Sequence, residues 1–154
     1  MAGPSFPEAF NLADYYLFDR ISEGLGDKVA IRFGDRAWTY AKVANKARAF
    51  ASLLTDAGVG RGERVLIVLP DVPPFAWAFF GTLAAGAVVA MGNPDLPPSS
   101  IEYLVRYTGA TAIVTVPKVR DALQQAIATR EIGDDVRAIW AVPDAPTGSD
   151  PESD

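Results

Sequence analysis

The stretch "PPFAWAFFGTLAAGAVVAMGNPDLPP", Pro73 to Pro98, decides the fold. Ten of the eleven residues from Leu83 to Asn93 lack a polar side chain, and Phe75 to Phe80 upstream is apolar throughout. A membrane-spanning helix needs about 20 apolar residues, and residues 72–91 nearly supply them. Three features oppose a span. Pro73 and Pro74 stand at one end, and Gly81 and Gly86 break the middle. The pattern changes from helical spacing (Phe75, Phe79, Phe80, Leu83) to adjacent β-branched residues (Val88, Val89). No basic cluster flanks either end, as an oriented span requires. The stretch therefore reads as a buried helix over 75–85, with both prolines in its first turn. A buried strand over 87–91 follows, and Asn93-Pro94 stops it.

The flanks repeat this alternation. "RVLIVLP" (64–70) is short, continuous and rich in β-branched residues, which suits a strand buried on both faces of a parallel sheet. "PSSIEYLVRYTG" (98–109) reads as a helix capped by Ser99 or Ser100, with Glu102 in its first turn and Gly109 as its stop. "TAIVTV" (111–116) is a third strand, "KVRDALQQAIATREIG" (118–133) a further helix with Asp121 near its start, and "RAIWAV" (137–142) a fourth strand. The order β-α-β-α-β-α-β with short links predicts an α/β fold: a parallel β-sheet, helices on both faces and right-handed crossovers.

Upstream, "FNLADYYLFDRISEGLG" (10–26) has Asn11 as an N-cap and Asp14 in the first turns. Leu12, Tyr15, Tyr16, Phe18, Ile21 and Leu25 give a broad apolar stripe at helical spacing, ended by Gly24 and Gly26. Residues 29–33 and 37–39 read as a hairpin around Gly34-Asp35. Thr39 can cap a helix over 40–58 whose inner face is Val43, Ala47, Phe50 and Leu54. Domain organisation is then an N-terminal extension (1–10), one α/β unit (11–142) and a Pro-, Ser- and acid-rich tail or linker (143–154) expected to be disordered.

With 154 residues the chain is one domain or one piece of a larger one. Such a chain buries roughly 68–70% of its unfolded surface, enough for a core without staples. It has no cysteine, hence no disulfide, thiolate metal site or cysteine nucleophile, and no histidine, the commonest general base. A net charge of −5 argues against a nucleic-acid partner. The start "MAGPSFPEAF" lacks the basic region and long apolar run of a signal peptide, so a cytoplasmic location is expected.

Taken together, residues 10–43 and 65–98 resemble the N-terminal part of the adenylate-forming acyl- and aryl-CoA ligases, the AMP-dependent synthetase/ligase family. Within that family they look most like the benzoate-CoA ligase group. "WTYAKV" (38–43) is similar to an early family motif, "LAAGAVVAMGNP" (83–94) to the Gly-Ala-Val…Asn-Pro motif, and "IEYLVRYTGATAIV" (101–114) also fits. The order and spacing of these pieces, across roughly residues 8 to 142, carry the resemblance. It implies the N-terminal subdomain of the adenylate-forming ligase fold. It also implies ATP, Mg²⁺ and coenzyme A as cofactors of the full-length family: a carboxylic acid is adenylated, pyrophosphate leaves, and the coenzyme A thiol attacks.

Stabilising the leaving pyrophosphate requires backbone N–H groups and a lysine around the phosphates. The family carries these on a Ser/Thr/Gly-rich loop ending in lysine. This chain has no such run; "TVPKVR" (115–120) has Lys118 but no glycine. The family's metal-binding acid, nucleotide contacts and hinge lysine lie further along a longer chain. Catalytic, cofactor-binding and metal residues are therefore each expected to be none here, with no cofactor bound tightly and no adenylation by this segment alone. Asp95 stands where some relatives carry a basic residue able to meet coenzyme A phosphates, and a carboxylate there repels a phosphate.

Individual residues admit two readings. Thr39 and Tyr40 read as a cap and a packed aromatic, beside a ligand-binding role. Phe75, Trp77, Phe79 and Phe80 read as core, beside an aryl pocket. Asp71 follows a strand end, where α/β sheets place ligands, and reads equally as a loop acid. "DPESD" reads as a solvated tail rather than a metal site. The first functional reading is the N-terminal portion of an AMP-forming acid–CoA ligase, with the remainder of the ligase as its partner. The second is a stand-alone scaffold or partner-binding module descended from one. A small nucleotide-binding domain is disfavoured by "LPDVPP", the opposite of a Gly-rich turn after a strand. Benzoate or a related aryl acid is the first substrate suggested by the resemblance, and fatty acids the second.

Overall fold

Asn11 opens the first helical segment of the computed structural model, which describes residues 10–129 and 135–143. Its side-chain oxygen accepts from the Ala13 N–H at 2.8 Å, as a cap should, and its amide donates to the Leu83 carbonyl at 2.7 Å. The segment is wider than an α-helix. Over Asp14–Phe18 it adopts i→i+5 bonding, as from the Asp19 N–H to the Asp14 carbonyl, and at Gly24 the chain leaves the helical region with φ 82°. The buried stripe coincides only in part with the expected one. Ala13 and Leu17 are buried, whereas Leu12, Tyr15 and Tyr16 are exposed. Phe18 and Ile21 of the expected stripe are half-buried.

Strands β1 (Val29–Phe33) and β2 (Arg36–Thr39) form an antiparallel hairpin with Phe33 opposite Arg36. Gly34 turns it at φ 55°, a conformation glycine adopts without strain. The hairpin leads into α1 (Tyr40–Asp56), whose first turn is capped by Thr39: its hydroxyl accepts from the Lys42 N–H at 3.3 Å. Val43, Ala44, Ala47 and Leu54 are the buried face of α1.

Next come β3 (Arg64–Val68), α2 (Pro73–Ala84), β4 (Val88–Met91), α3 (Pro98–Thr108), β5 (Ala110–Thr115), α4 (Pro117–Ala128) and β6 (Ala138–Ala141). The four strands are parallel in the order β4-β3-β5-β6. Alternation along β3 splits the core in two. Leu66 and Val68 pack with Ile101 and Val105 of α3 and Val119, Leu123 and Ala126 of α4. Val65, Ile67 and Leu69 pack on the other face with Leu54 of α1 and Ala78 of α2. Helices thus cover both faces, and all six residues of β5 are buried.

A third cluster explains why α2 is apolar all round. Phe75 and Phe79 face the sheet. Trp77 and Phe80 face Leu17, Ile31, Trp38 and Val43, which belong to the first helix, the hairpin and α1. With a core on two sides, α2 has no wet face to make polar. At 12 residues it is short, and no described helix is long and apolar enough to cross a membrane.

Two local expectations need correction. Helix α3 starts at Pro98 after Pro97, with no side-chain cap, so Ser99 and Ser100 lie inside its first turn. Neither α3 nor α4 has an acid in its first turn. Glu102 and Asp121 come one turn later because proline opens each helix earlier than the serine and lysine suggested. Residues 130–133 of the anticipated fourth helix, 1–9 of the extension and 144–154 of the tail, including "DPESD", lie outside the described residues.

Candidate functional site

Helix α2 leaves β3 toward one face of the sheet, and α4 leaves β5 toward the other. Neighbouring strands whose connections diverge in this way open a crevice at their carboxyl ends, where α/β sheets bind ligands. The sequence places Asp71 and Lys118 on this rim, and both are exposed. The gap between the strands is filled: the buried Thr115 hydroxyl donates to the Val68 carbonyl at 3.0 Å. At the end of β4, the Asn93 side chain accepts from the Asp95 N–H at 2.9 Å, which turns the chain and leaves the Asp95 carboxylate in solvent.

A shallow cleft of about 240 Å³ lies beside this rim, lined by Ile31, Arg32 and Phe33 of β1 and by Asp71, Pro73 and Phe75. Of the four aromatic residues read as core or pocket, Phe75 alone lines it. Trp77 packs edge-on against Trp38 at 5.8 Å, and Phe79 against Phe80 at 5.4 Å. Arg32 and Phe33 escaped the sequence reading, since only their alternation with Ile31 on a half-buried hairpin hinted at a second surface.

Proline thins the backbone donors that this rim could offer to an anion. Anions bind at helix N-termini through free backbone N–H groups. Helices α2, α3 and α4 each carry proline in the first turn, two of them in α2, and proline has no N–H. The Asp71 carboxylate adds repulsion beside the α2 terminus. Among the described residues, no group of three or more His, Cys, Asp or Glu could hold a metal ion. Glu102 is half-buried on α3, and Asp121 pairs with its neighbour Arg120 at 2.8 Å.

The amino ends of the strands carry the strongest electrostatics. Arg137, just before β6, donates to both carboxylate oxygens of Glu63, just before β3, and to the Gly58 carbonyl. The Arg137 hydrogen bonds, with the Gly60 N–H next, hold the Glu63 carboxyl below its usual range, and the same pairing raises the Arg137 guanidinium. Arg64 donates to the Thr108 and Gly109 carbonyls at 2.8 Å each, satisfying the C-terminus of α3. These contacts brace the scaffold and are remote from the ligand rim.

This four-stranded parallel sheet, layered between helices, is the architecture of the N-terminal domain of adenylate-forming ligases. The family model for AMP-binding enzymes matches residues 18–153, and the chain belongs to that family. It is 31% identical over 99 residues to a 3-hydroxybenzoate–CoA/4-hydroxybenzoate–CoA ligase of Thauera aromatica, covering 64% of this chain and 19% of that protein. It is 30% identical over 112 residues to a long-chain-fatty-acid–CoA ligase of Salmonella typhimurium, covering 72% and 20%. A crystal structure of a benzoate CoA ligase from Burkholderia xenovorans LB400 superposes with a TM-score of 0.74 at 30% identity, covering 87% of this chain and 26% of that one. The chain thus corresponds to the N-terminal part of such ligases and spans about a fifth of the curated relatives' length.

Proposed function

We propose that this chain is the N-terminal scaffold of an AMP-forming carboxylic acid–CoA ligase, supplying structure rather than catalytic groups. The observation that carries the reading is the benzoate CoA ligase superposition, which takes in 87% of this chain but 26% of that enzyme. A proline-opened, acid-bearing rim supports the absence of a phosphate site in this segment. On this reading ATP, Mg²⁺ and coenzyme A act on the longer protein, and this segment alone adenylates nothing. The acid is an aryl acid of the benzoate class, with a fatty acid second, because relatives of both kinds match.

Intact mass of the native polypeptide and acid-dependent ATP–pyrophosphate exchange test this together. A polypeptide well above 16.4 kDa that exchanges pyrophosphate in the presence of benzoate supports it. A native mass of 16.4 kDa without exchange supports instead the second reading, a stand-alone scaffold that binds a partner.

A further inference from the structure

Arg32 and Asp71 border one cleft, and neither has a partner. Three successive residues of β1, Ile31, Arg32 and Phe33, line this cleft, so it follows the edge of the strand rather than one face. Among the described residues β2 is the only strand beside β1, and main-chain donors along the outer edge have no strand partner. The other wall is Asp71, Pro73 and Phe75, at the entry to α2. Phe33 is 40% exposed, and the Phe75 ring is steadied by stacking on Phe79 at 6.3 Å. Arg20, Arg120 and Arg137 each grip a carboxylate, and Arg64 holds two carbonyls. Arg32, by contrast, makes no hydrogen bond or ion pair among the described residues, and the Asp71 carboxylate is equally unpaired.

We propose that this cleft binds a small aromatic carboxylate bearing a hydroxyl or amino substituent, a hydroxybenzoate in the simplest case. Arg32, with the edge N–H groups of β1, donates to the ligand's carboxylate. Phe33 and Phe75 meet the ring, and Asp71 accepts from the O–H or N–H of the substituent. Arg32 and Asp71 do not pair with each other, so a ligand that spans them keeps its own carboxylate at the guanidinium and off the aspartate. Size agrees. Pockets for drug-sized molecules run to about 300–1,000 Å³, and this cleft, at about 240 Å³, suits a single ring. The site goes beyond the scaffold reading and does not depend on it, because every group in it belongs to this segment.

Equilibrium dialysis of the native polypeptide against 4-hydroxybenzoate and against benzoate tests this, on the parent and on Arg32→Ala and Asp71→Ala. Both positions are exposed, so melting temperatures should stay unchanged. One saturable site should weaken about tenfold in Arg32→Ala. Asp71→Ala should bind the two acids alike, where the parent prefers 4-hydroxybenzoate. In a polypeptide longer than this chain, benzoate-dependent pyrophosphate exchange should keep its kcat and KM in Arg32→Ala, which separates the cleft from the ligase's own acid site. Binding that Arg32→Ala leaves unchanged overturns the cleft site and leaves the ligase reading to the exchange assay. Exchange lost together with binding overturns it as a separate site.

Discussion

Arg137 grips Glu63 across the amino ends of the parallel strands, with one Nη2–Oε1 contact at 2.8 Å and a second from Nη1 to Oε2. The two residues are far apart in sequence, and each precedes a strand that does not touch the other's: β5 lies between β3 and β6. The same guanidinium holds the Gly58 carbonyl and the same carboxylate accepts the Gly60 N–H. The pair therefore fastens the α1–β3 loop to the last strand of the sheet.

This pairing predicts an acid-sensitive contribution to stability. The folded Glu63 pKa lies below its unfolded reference of 4.5. A depressed carboxylate contributes stability that is present above the unfolded pKa and is lost as pH falls through the folded value. The pair is solvent-facing, so the effect is small. Glu63→Gln should lower the melting temperature near neutral pH by about 2 °C or less. The gap to the parent should close as pH drops below 4.5. Thermal melts across an acid series measure it, and a gap unchanged at the acid end would contradict the assignment.

Gly81 carries a second prediction. Helices α1 and α2 approach closely there, and a Cβ would fall 2.6 Å from the Ala47 carbonyl and 2.9 Å from Phe50. Backbone cannot retreat as a side-chain tip can. Gly81→Ala should destabilise by about 1–3 kcal/mol in urea unfolding. Gly92→Ala, which meets the mobile end of Leu104 at 2.9 Å, should lose less. Equal losses would show that the α1–α2 contact is not the constraint.

The parallel sheet was legible because its strands are continuous apolar runs separated by helices with clear stops. Residues 64–70 and 111–116 could be little else in a chain of this composition. In the first helix Phe18 and Ile21 face the core as their spacing suggested, but the outward turn of Leu12, Tyr15 and Tyr16 was not legible, since i→i+5 bonding leaves no mark in a pattern read at 3.6 residues per turn. The apolar surround of α2 was legible, but its cause was not. The third cluster joins Leu17, Ile31 and Trp38 to Trp77, and such pairings between remote segments have no local signature. The Glu63–Arg137 pair escaped for the same reason. Asp71, Asp95 and Lys118 could be placed at strand ends from the sequence, because each follows a recognisable apolar strand.

Thr39 tests the choice between cap and ligand contact. Its hydroxyl meets the Lys42 N–H at 3.3 Å on an exposed first turn, a long bond of modest value. Thr39→Ala should cost about 0.5–1 kcal/mol of stability, and Thr39→Ser should restore most of it. In a longer ligase form, Thr39→Ala should leave the KM for the acid unchanged. A raised KM with unchanged melting temperature would instead make Thr39 a ligand contact.

The rim itself predicts how the isolated chain answers nucleotide. Binding to the folded state alone raises stability by about 2.7 kcal/mol when ligand is 100 times its Kd. Pro73, Pro74, Pro98 and Pro117 remove donors from the turns that would meet phosphate, and Asp71 and Asp95 add negative charge at strand ends. Millimolar Mg-ATP should therefore leave the melting temperature of the isolated chain where it is. The alternative is equally plain in the same assay. A saturable rise in melting temperature, abolished by Lys118→Ala, would locate a phosphate site on the exposed start of α4 and refute a purely structural role for this segment.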